Sequence, residues 1–483
     1  MFAIIDNGQE WAERIAELAI LPDKRLNKRL QLILASFDSN PCGNIAQTFG
    51  EWAKAKGAYR FFSNTRVTMD MLVQPLADVT AEFCSGHDDI YVAHDTTSLN
   101  YTWNERLDNV GPINDDENLR GLHAHSSMAM TADGTPVGLL GLQSWARPIG
   151  EKVAKDRKQR PFEEKESFRW AVGIQDCYQA IERNVEPPAR PRVIHLLDRE
   201  GDIYEVFETI EDCHAYGIIR SSQNRRTADG HLSQDAVAGS PIRLRRILDL
   251  ARGHGQPARQ AKVEVRYRAL QLNSNRPGRR PIQCTMIEVR EVDAPEGVEP
   301  IHWFLWTNLP VHNVNDAWEI VQKYRFRWRI EEMHLVLKSG CAMEKLGLEK
   351  GERLQKALAL YAAVAVRIVR LRDLARTEPD APCTHALSGD EWRALWAHIH
   401  KQPVPENCPV PTLREAIRWI GRLGGHLGRR CDGEPGVRRL WCGYRKLQLL
   451  TVGYQAGEAQ TCHSNSRAHR RVHADDHAQA CQS

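Results

Sequence analysis

The sequence lacks most of the signals from which a compartment or a cofactor is usually read. Its twelve cysteines are scattered with no CxxC pair, which argues against a zinc ribbon, a thioredoxin-like site or a secreted disulfide scaffold and favours reduced cytosolic thiols. No run reaches the ~18 apolar residues of a membrane span. Charges break up the N-terminal MFAIIDNGQEWAERIAELAI too early for a signal peptide, so a soluble, cytoplasmic protein with no membrane partner is expected. No internal repeat is visible. Overall charge is also weak: 65 Lys and Arg against 62 Asp and Glu leave +3, which does not by itself announce a polyanion-binding protein.

What is present is length and uneven charge. A chain of 483 residues, 42% hydrophobic, is long enough for about three domains. Residues 220–280 hold 14 Lys and Arg against Asp229, Asp235, Asp249 and Glu264, a net +10 that leaves about −7 for the remainder. The positive field is therefore expected in this one segment.

The most informative stretch is YRFRWRIEEMHLVLK, Tyr324 to Lys338. On an α-helix, Tyr324, Arg327, Glu331 and Lys338 fall in one stripe roughly 60° wide. Phe326, Ile330, Met333 and Leu337 form an apolar stripe opposite. Such a helix buries one side and presents a carboxylate between cations on the other. An isolated pattern of this kind is usually a solvated charged face, but two upstream segments change its weight. IYVAHDTTS and RVIHLLDREGD each read as a short apolar strand with an aspartate at its C-terminal end, Asp95 and Asp198. Ligands of open α/β sheets collect outside such ends. Three carboxylates supply hard oxygen donors suited to Mg²⁺ or Mn²⁺ rather than zinc.

These residues resemble bacterial insertion-sequence transposases of the DDE type, in the branch of the transposon-five transposase. That branch carries a Tyr, Arg, Glu, Lys signature with two, three and six intervening residues, matched here by Tyr324, Arg327, Glu331 and Lys338. The likeness spans roughly residues 10–455. It implies a ribonuclease-H-like α/β catalytic domain, a mixed sheet with a β-rich insertion, flanked by a helical N-terminal DNA-binding domain and a helical C-terminal dimerisation domain.

The chain in order agrees with that expectation. Helical segments around Gln9–Ala19, Lys24–Phe37 and Gly50–Phe62 fill residues 1–75. In the second, Arg25 and Arg29 share one face and Leu26, Leu30 and Ile33 another. By resemblance these arginines grip phosphates, although a bundle with a snorkelling basic face would read the same way. A strand to Asp95, a hairpin turning at Asp133-Gly134, a helix over about Glu166–Arg183 and a strand to Asp198 give the order of a ribonuclease-H-like sheet, with the first and fourth strands adjacent. Alternation in Lys262–Leu272 and Cys284–Val292 predicts antiparallel strands in an insertion at about 222–300. The catalytic domain then spans 76–375, with a buried helix over LQKALALYAAVAVRIVRLRDLA. A dimerisation region at 376–455 and a disordered histidine-containing tail at 456–483 complete the division.

The resemblance also distributes roles. Asp95, Asp198 and Glu331 are the expected catalytic carboxylates, holding two Mg²⁺ ions, replaceable by Mn²⁺, with Asp95 between them. Tyr324, Arg327 and Lys338 are expected on the DNA strand being cut, with Arg220 assisting a hairpin intermediate and Trp303 stacking a flipped base. Trp306, three residues along one strand, should face the opposite way into the core. The implied activity is cut-and-paste transposition by a nucleoid-associated homodimer that pairs terminal inverted repeats and joins them to target DNA. The alternatives are a metal-dependent nuclease or resolvase on the same scaffold, and a catalytically silent DNA-binding inhibitor.

Overall fold

The computed structural model describes residues 8–40, 44–114, 118–149, 160–250, 258–274, 278–429 and 432–457. The tail expected to be disordered lies, from residue 458 on, outside these. Among the described residues no helix is long and apolar enough to cross a membrane, and each described cysteine is free.

Among the described residues five helices come first: α1 Gly8–Leu18, α2 Lys24–Ser39, α3 Ile45–Phe49, α4 Trp52–Ser63 and α5 Asp70–Cys84. Side-chain caps start two of them, Asp23 on α2 and Asn44 on α3. Leu30 and Ile33 of α2 are buried while Arg25 stands 91% exposed, so the two faces of α2 are divided as its sequence suggests. Helix α5 lies outside the three helical segments read from the sequence, and it contains Pro75. This proline is the sixth residue of the helix and costs it one backbone hydrogen bond. The expected boundary at residue 75 therefore falls inside α5, which packs against the sheet and not only against the N-terminal bundle.

Among the described residues ten strands then build one continuous sheet: β1 Asp89–Asn100, β2 Gly111–Pro112, β3 Arg120–Met130, β4 Pro136–Trp145, β5 Arg192–Leu197, β6 Tyr216–Arg220, β7 Leu244–Leu250, β8 Arg259–Leu272, β9 Ile282–Val292 and β10 His302–Thr307. Their order is β2-β3-β1-β5-β6-β10-β9-β8-β7, with β4 on β3. Strands β1, β5 and β6 run parallel and the remaining pairings are antiparallel. The insertion is thus the far half of the same sheet and not a separate layer. Between β3 and β4 the chain turns where expected: Gly134 takes φ +85, and the Asp133 carboxylate accepts from Thr131 Oγ1 and the Thr135 N–H.

Helices α6 Phe168–Asn184, α7 Tyr204–Asp212 and α8 Ser233–Ala238 link the strands, and α9 Val314–Tyr324, α10 Trp328–Leu335 and α11 Gly351–Thr377 follow them. The 27-residue α11 is buried on nearly every side. Phe37 of α2 stacks on its Tyr361 with ring centroids 4.1 Å apart, and Lys356 donates to the carbonyls of Phe62 and Asn64. This one helix ties the N-terminal bundle to the sheet. It runs through the expected boundary at 375 and leads into α12 Gly389–His400, α13 Leu413–Leu423 and a last helix, α14, over 437–457.

Candidate active site

Asp95 does not end its strand, as its sequence suggests, but sits in the middle of β1. Thr96–Asn100, rich in β-formers, continue the antiparallel ladder with β3. What ends near Asp95 is the parallel pairing with β5, which runs from Asp89↔Arg192 to Ala93↔Leu196. Carried two residues further, that register sets Asp95 level with Asp198, the residue after β5. The two aspartates are neighbours although 103 positions separate them in the chain. Asp198 also caps the 3₁₀ turn Arg199–Gly201, accepting from the Glu200 N–H at 2.8 Å.

The signature stretch is not one regular α-helix, and here the sequence reading is corrected. Helix α9 ends at Tyr324, a 3₁₀ turn spans Arg325–Arg327, α10 follows, and Val336–Gly340 form a π turn. The 3₁₀ turn nearly eclipses Tyr324 with Arg327. The π turn re-aims Lys338, whose surroundings are Glu344 and Asp95. Ile330, Met333 and Leu337 are fully buried as expected; Phe326 is only half-buried, edge-on to Tyr91 of β1 at 6.0 Å.

A cavity of about 1570 Å³ lies beside this stretch, lined in part by Arg199, Arg220, Trp303, Tyr324, Arg327 and Glu331. The Trp303 ring meets Tyr324 edge-on at 5.8 Å, and the Arg220 guanidinium lies 5.9 Å from its centroid. Trp306 points away and is fully buried against Phe207. Asp95, Asp198 and Lys338 stand next to the cavity rather than in its lining. Arg25 and Arg29 lie on α2 in the N-terminal bundle, where Arg25 pairs with Asp23 at 2.7 Å and Arg29 covers Gly57 of α4.

The charges here are held unevenly. Burial and the Asp95 charge push the Asp198 carboxyl above its usual value. Burial would do the same to Asp95, but His334, backed by Arg327, holds it below. Glu331 is ion-paired to Arg327. Burial opposes the charge on that guanidinium, yet Tyr324, Glu331 and Asp95 keep it on. The tyrosine itself is pushed up to about 12 by burial. Asp95 and Asp198 repel one another, while Glu331 is held by Arg327. An all-carboxylate donor set fits hard cations of the Mg²⁺ type.

Two groups escaped the sequence reading. His334, three residues after Glu331, lies with Nδ1 3.4 Å from Asp95 Oδ2 and Nε2 3.2 Å from Ser126 Oγ. Its signal was the helical spacing. Glu200, two residues after Asp198, is raised by burial and then by Asp198 and Asp95. Beneath them a buried ion network fixes α10: Arg372 of α11 pairs with Glu332 and Asp373, and Arg329 reaches Asp373 at 3.3 Å. The neighbours of Glu331 are thereby locked to the core.

The expected positive field of residues 220–280 is largely neutralised. Arg225, Arg245, Arg259, Arg266, Arg268, Arg279 and Arg280 all pair with carboxylates, several from outside the segment. Counting charge along the sequence missed these partners because β9 and α7 bring them in from elsewhere.

Comparison with known families fits this layout. Residues 8–67 match the family described as transposase DNA-binding, and residues 363–463 match the transposase Tn5 dimerisation domain. A DNA-binding bundle, a mixed α/β core and a dimerisation region define a DNA-processing enzyme that forms homodimers. The chain is a DNA transposase of the Tn5 type.

Proposed function

We propose that the protein cuts and pastes its own insertion sequence through a DDE site built from Asp95, Asp198 and Glu331 on a ribonuclease-H-like sheet. The observation that carries this reading is the register that sets Asp95 level with Asp198 on the face covered by α10, the helix of Glu331. Two Mg²⁺ ions, or Mn²⁺ in their place, would be held by these carboxylates and would supply the activated nucleophile and the charge relief that phosphodiester cleavage needs. The residues of the chain do the rest. Arg327, Arg220 and Lys338 bind phosphates of the strand being cut, and Tyr324 packs Trp303 into the cavity wall as a platform for a displaced base. His334 holds the Asp95 carboxylate toward the helix.

In this reading, residues 1–75 bind the terminal inverted repeats, 76–375 cut, and 376–455 pair two copies. The 3′ strand is nicked, its hydroxyl closes a hairpin on the element's end, the hairpin is reopened, and the end is joined to target DNA. The test uses a pre-nicked, end-labelled duplex carrying the inverted repeat that bounds the gene. Wild-type protein should convert it to hairpin in Mg²⁺. Linear product with no hairpin would instead favour a metal-dependent nuclease.

A further inference from the structure

On the face of the sheet opposite Asp95 lies a second group of ligand-type side chains that the cutting chemistry does not use. Side chains alternate along β1, so His94 points away from the carboxylates. On β5, Val92↔His195 register places His195 diagonally beside His94 on the same face. Cys177 comes from α6, which covers this face. All three are buried, at 0%, 1% and 0% exposure. One ligand atom from each lies within 4.8 Å of the other two. His94 Nε2 and His195 Nδ1 are 2.8 Å apart.

We propose that His94, His195 and Cys177 bind one Zn²⁺ ion that pins α6 to β1 and β5 behind the catalytic aspartates. The donor types set the choice of metal. Two imidazoles and a thiolate suit zinc and are poor ligands for Mg²⁺. Tetrahedral bonds of about 2.1 Å to nitrogen and 2.3 Å to sulfur put ligand atoms roughly 3.5 Å apart, within a small side-chain adjustment of the observed spacing.

The surroundings support the same ion. Ser127 Oγ meets His94 Nδ1 at 3.1 Å, the outer hydrogen bond that leaves Nε2 facing the metal. His125, one residue pair along β3, bonds Thr96 through Nδ1 but leaves its buried Nε2 with no partner. A Cβ on Gly173 of α6 would fall 3.1 Å from both that nitrogen and Ser127 Oγ, so glycine at this position lets α6 approach β3 closely behind the site. Binding releases one proton, from the Cys177 thiol, and changes no oxidation state. The resulting centre carries a net +1 behind two carboxylates, a favourable placement.

The experiment measures metal in the full-length chain after chelator-washed gel filtration, then follows Co²⁺ titration by absorption. One zinc per chain is expected, with a thiolate-to-cobalt band on substitution. Cys177→Ala and His195→Gln should each lose the zinc, while Asp95→Asn should keep it, which separates this centre from the Mg²⁺ site. Should the two ligand variants fail to fold, the wild-type cobalt spectrum decides alone. Zinc retained by folded Cys177→Ala, or a folded wild-type chain with neither zinc nor a thiolate–cobalt band, overturns the proposal and leaves a metal-free hydrogen-bonded chain.

Discussion

The two halves of the sheet are both dense in charge, but they treat it in opposite ways. In the insertion half, arginines of β7, β8 and the loops around them find carboxylates at hydrogen-bonding distance, such as Arg245 with Glu264 at 2.9 Å and Arg266 with Glu288 at 3.1 Å. In the parallel half, Asp95 and Asp198 are set side by side, and Glu200 adds a third carboxylate beside them. Evolution of a stable fold alone would pair or separate such groups, because like charges at close range in a half-buried site cost stability. The difference teaches that the quantity of charge says less than its close juxtaposition, which is what marks Asp95 and Asp198 as a candidate site.

Substitution at the carboxylates gives the sharpest test of this contrast. Asp95→Ala, Asp198→Ala and Glu331→Ala should each reduce Mg²⁺-dependent nicking of a terminal-repeat duplex by at least about 10³-fold with little change in binding. Arg245→Ala, in the paired half, should leave the nicking rate within about twofold. A gel assay of single-turnover nicking compares them, and a wild-type rate in any of the first three removes that residue from the site.

Next in size are effects on stability. Arg372→Met removes the partner of Glu332 and leaves buried Asp373 with only Arg329 and Arg376, and should cost about 3–5 kcal/mol; Trp306→Ala should cost a similar amount through the cavity it opens. The pair of exposed Arg245 with Glu264, which keeps Arg266 as a second partner, is worth no more than about 1 kcal/mol. Urea midpoints read all three, and equal losses would erase the distinction between the buried network and the insertion pairs.

Smaller changes are expected at the cavity wall. An aromatic platform offsets base unstacking by about 1–3 kcal/mol, so Trp303→Ala should spare the first nick and slow hairpin closure by roughly ten- to a hundredfold. Control of that step by Trp306 instead would reverse the assignment of the two faces of β10. The smallest effect concerns binding. Replacing Arg25 and Arg29 together by Ala should lower the slope of log K against log salt by about 2, whereas Arg266→Ala, already neutralised by Glu264 and Glu288, should leave it unchanged.

Much of this was legible from sequence where the signal is local. Periodicity identified α2, α6 and the antiparallel strands, and the Asp133-Gly134 turn followed from its chemistry. The buried α11 followed from its apolar circumference. What was missed depends on partners distant in the chain. The antiparallel extension of β1 past Asp95 needs β3 to exist, and α5 survives Pro75 because the sheet and neighbouring helices supply the packing. The ion pairs that hold α10 come from Arg372 and Asp373, some forty residues on. For the same reason His334 looked like an ordinary helix residue until β1 placed a carboxylate against it.

The continuity of the sheet has a consequence for handling and evolution of the protein. Among the described strands β7 pairs only with β8, so a ten-stranded sheet ends in an open hydrogen-bonding edge. That edge reads LRRILDL, and its Arg245 and Arg246 are exposed on either side of an otherwise adhesive apolar pattern, with Ile247 also 56% exposed. Charges at this position stop a second sheet from adding strand to strand. Neutralising Arg245 and Arg246 together would therefore threaten solubility before it touched catalysis, and fusions or insertions placed along β7 should preserve them.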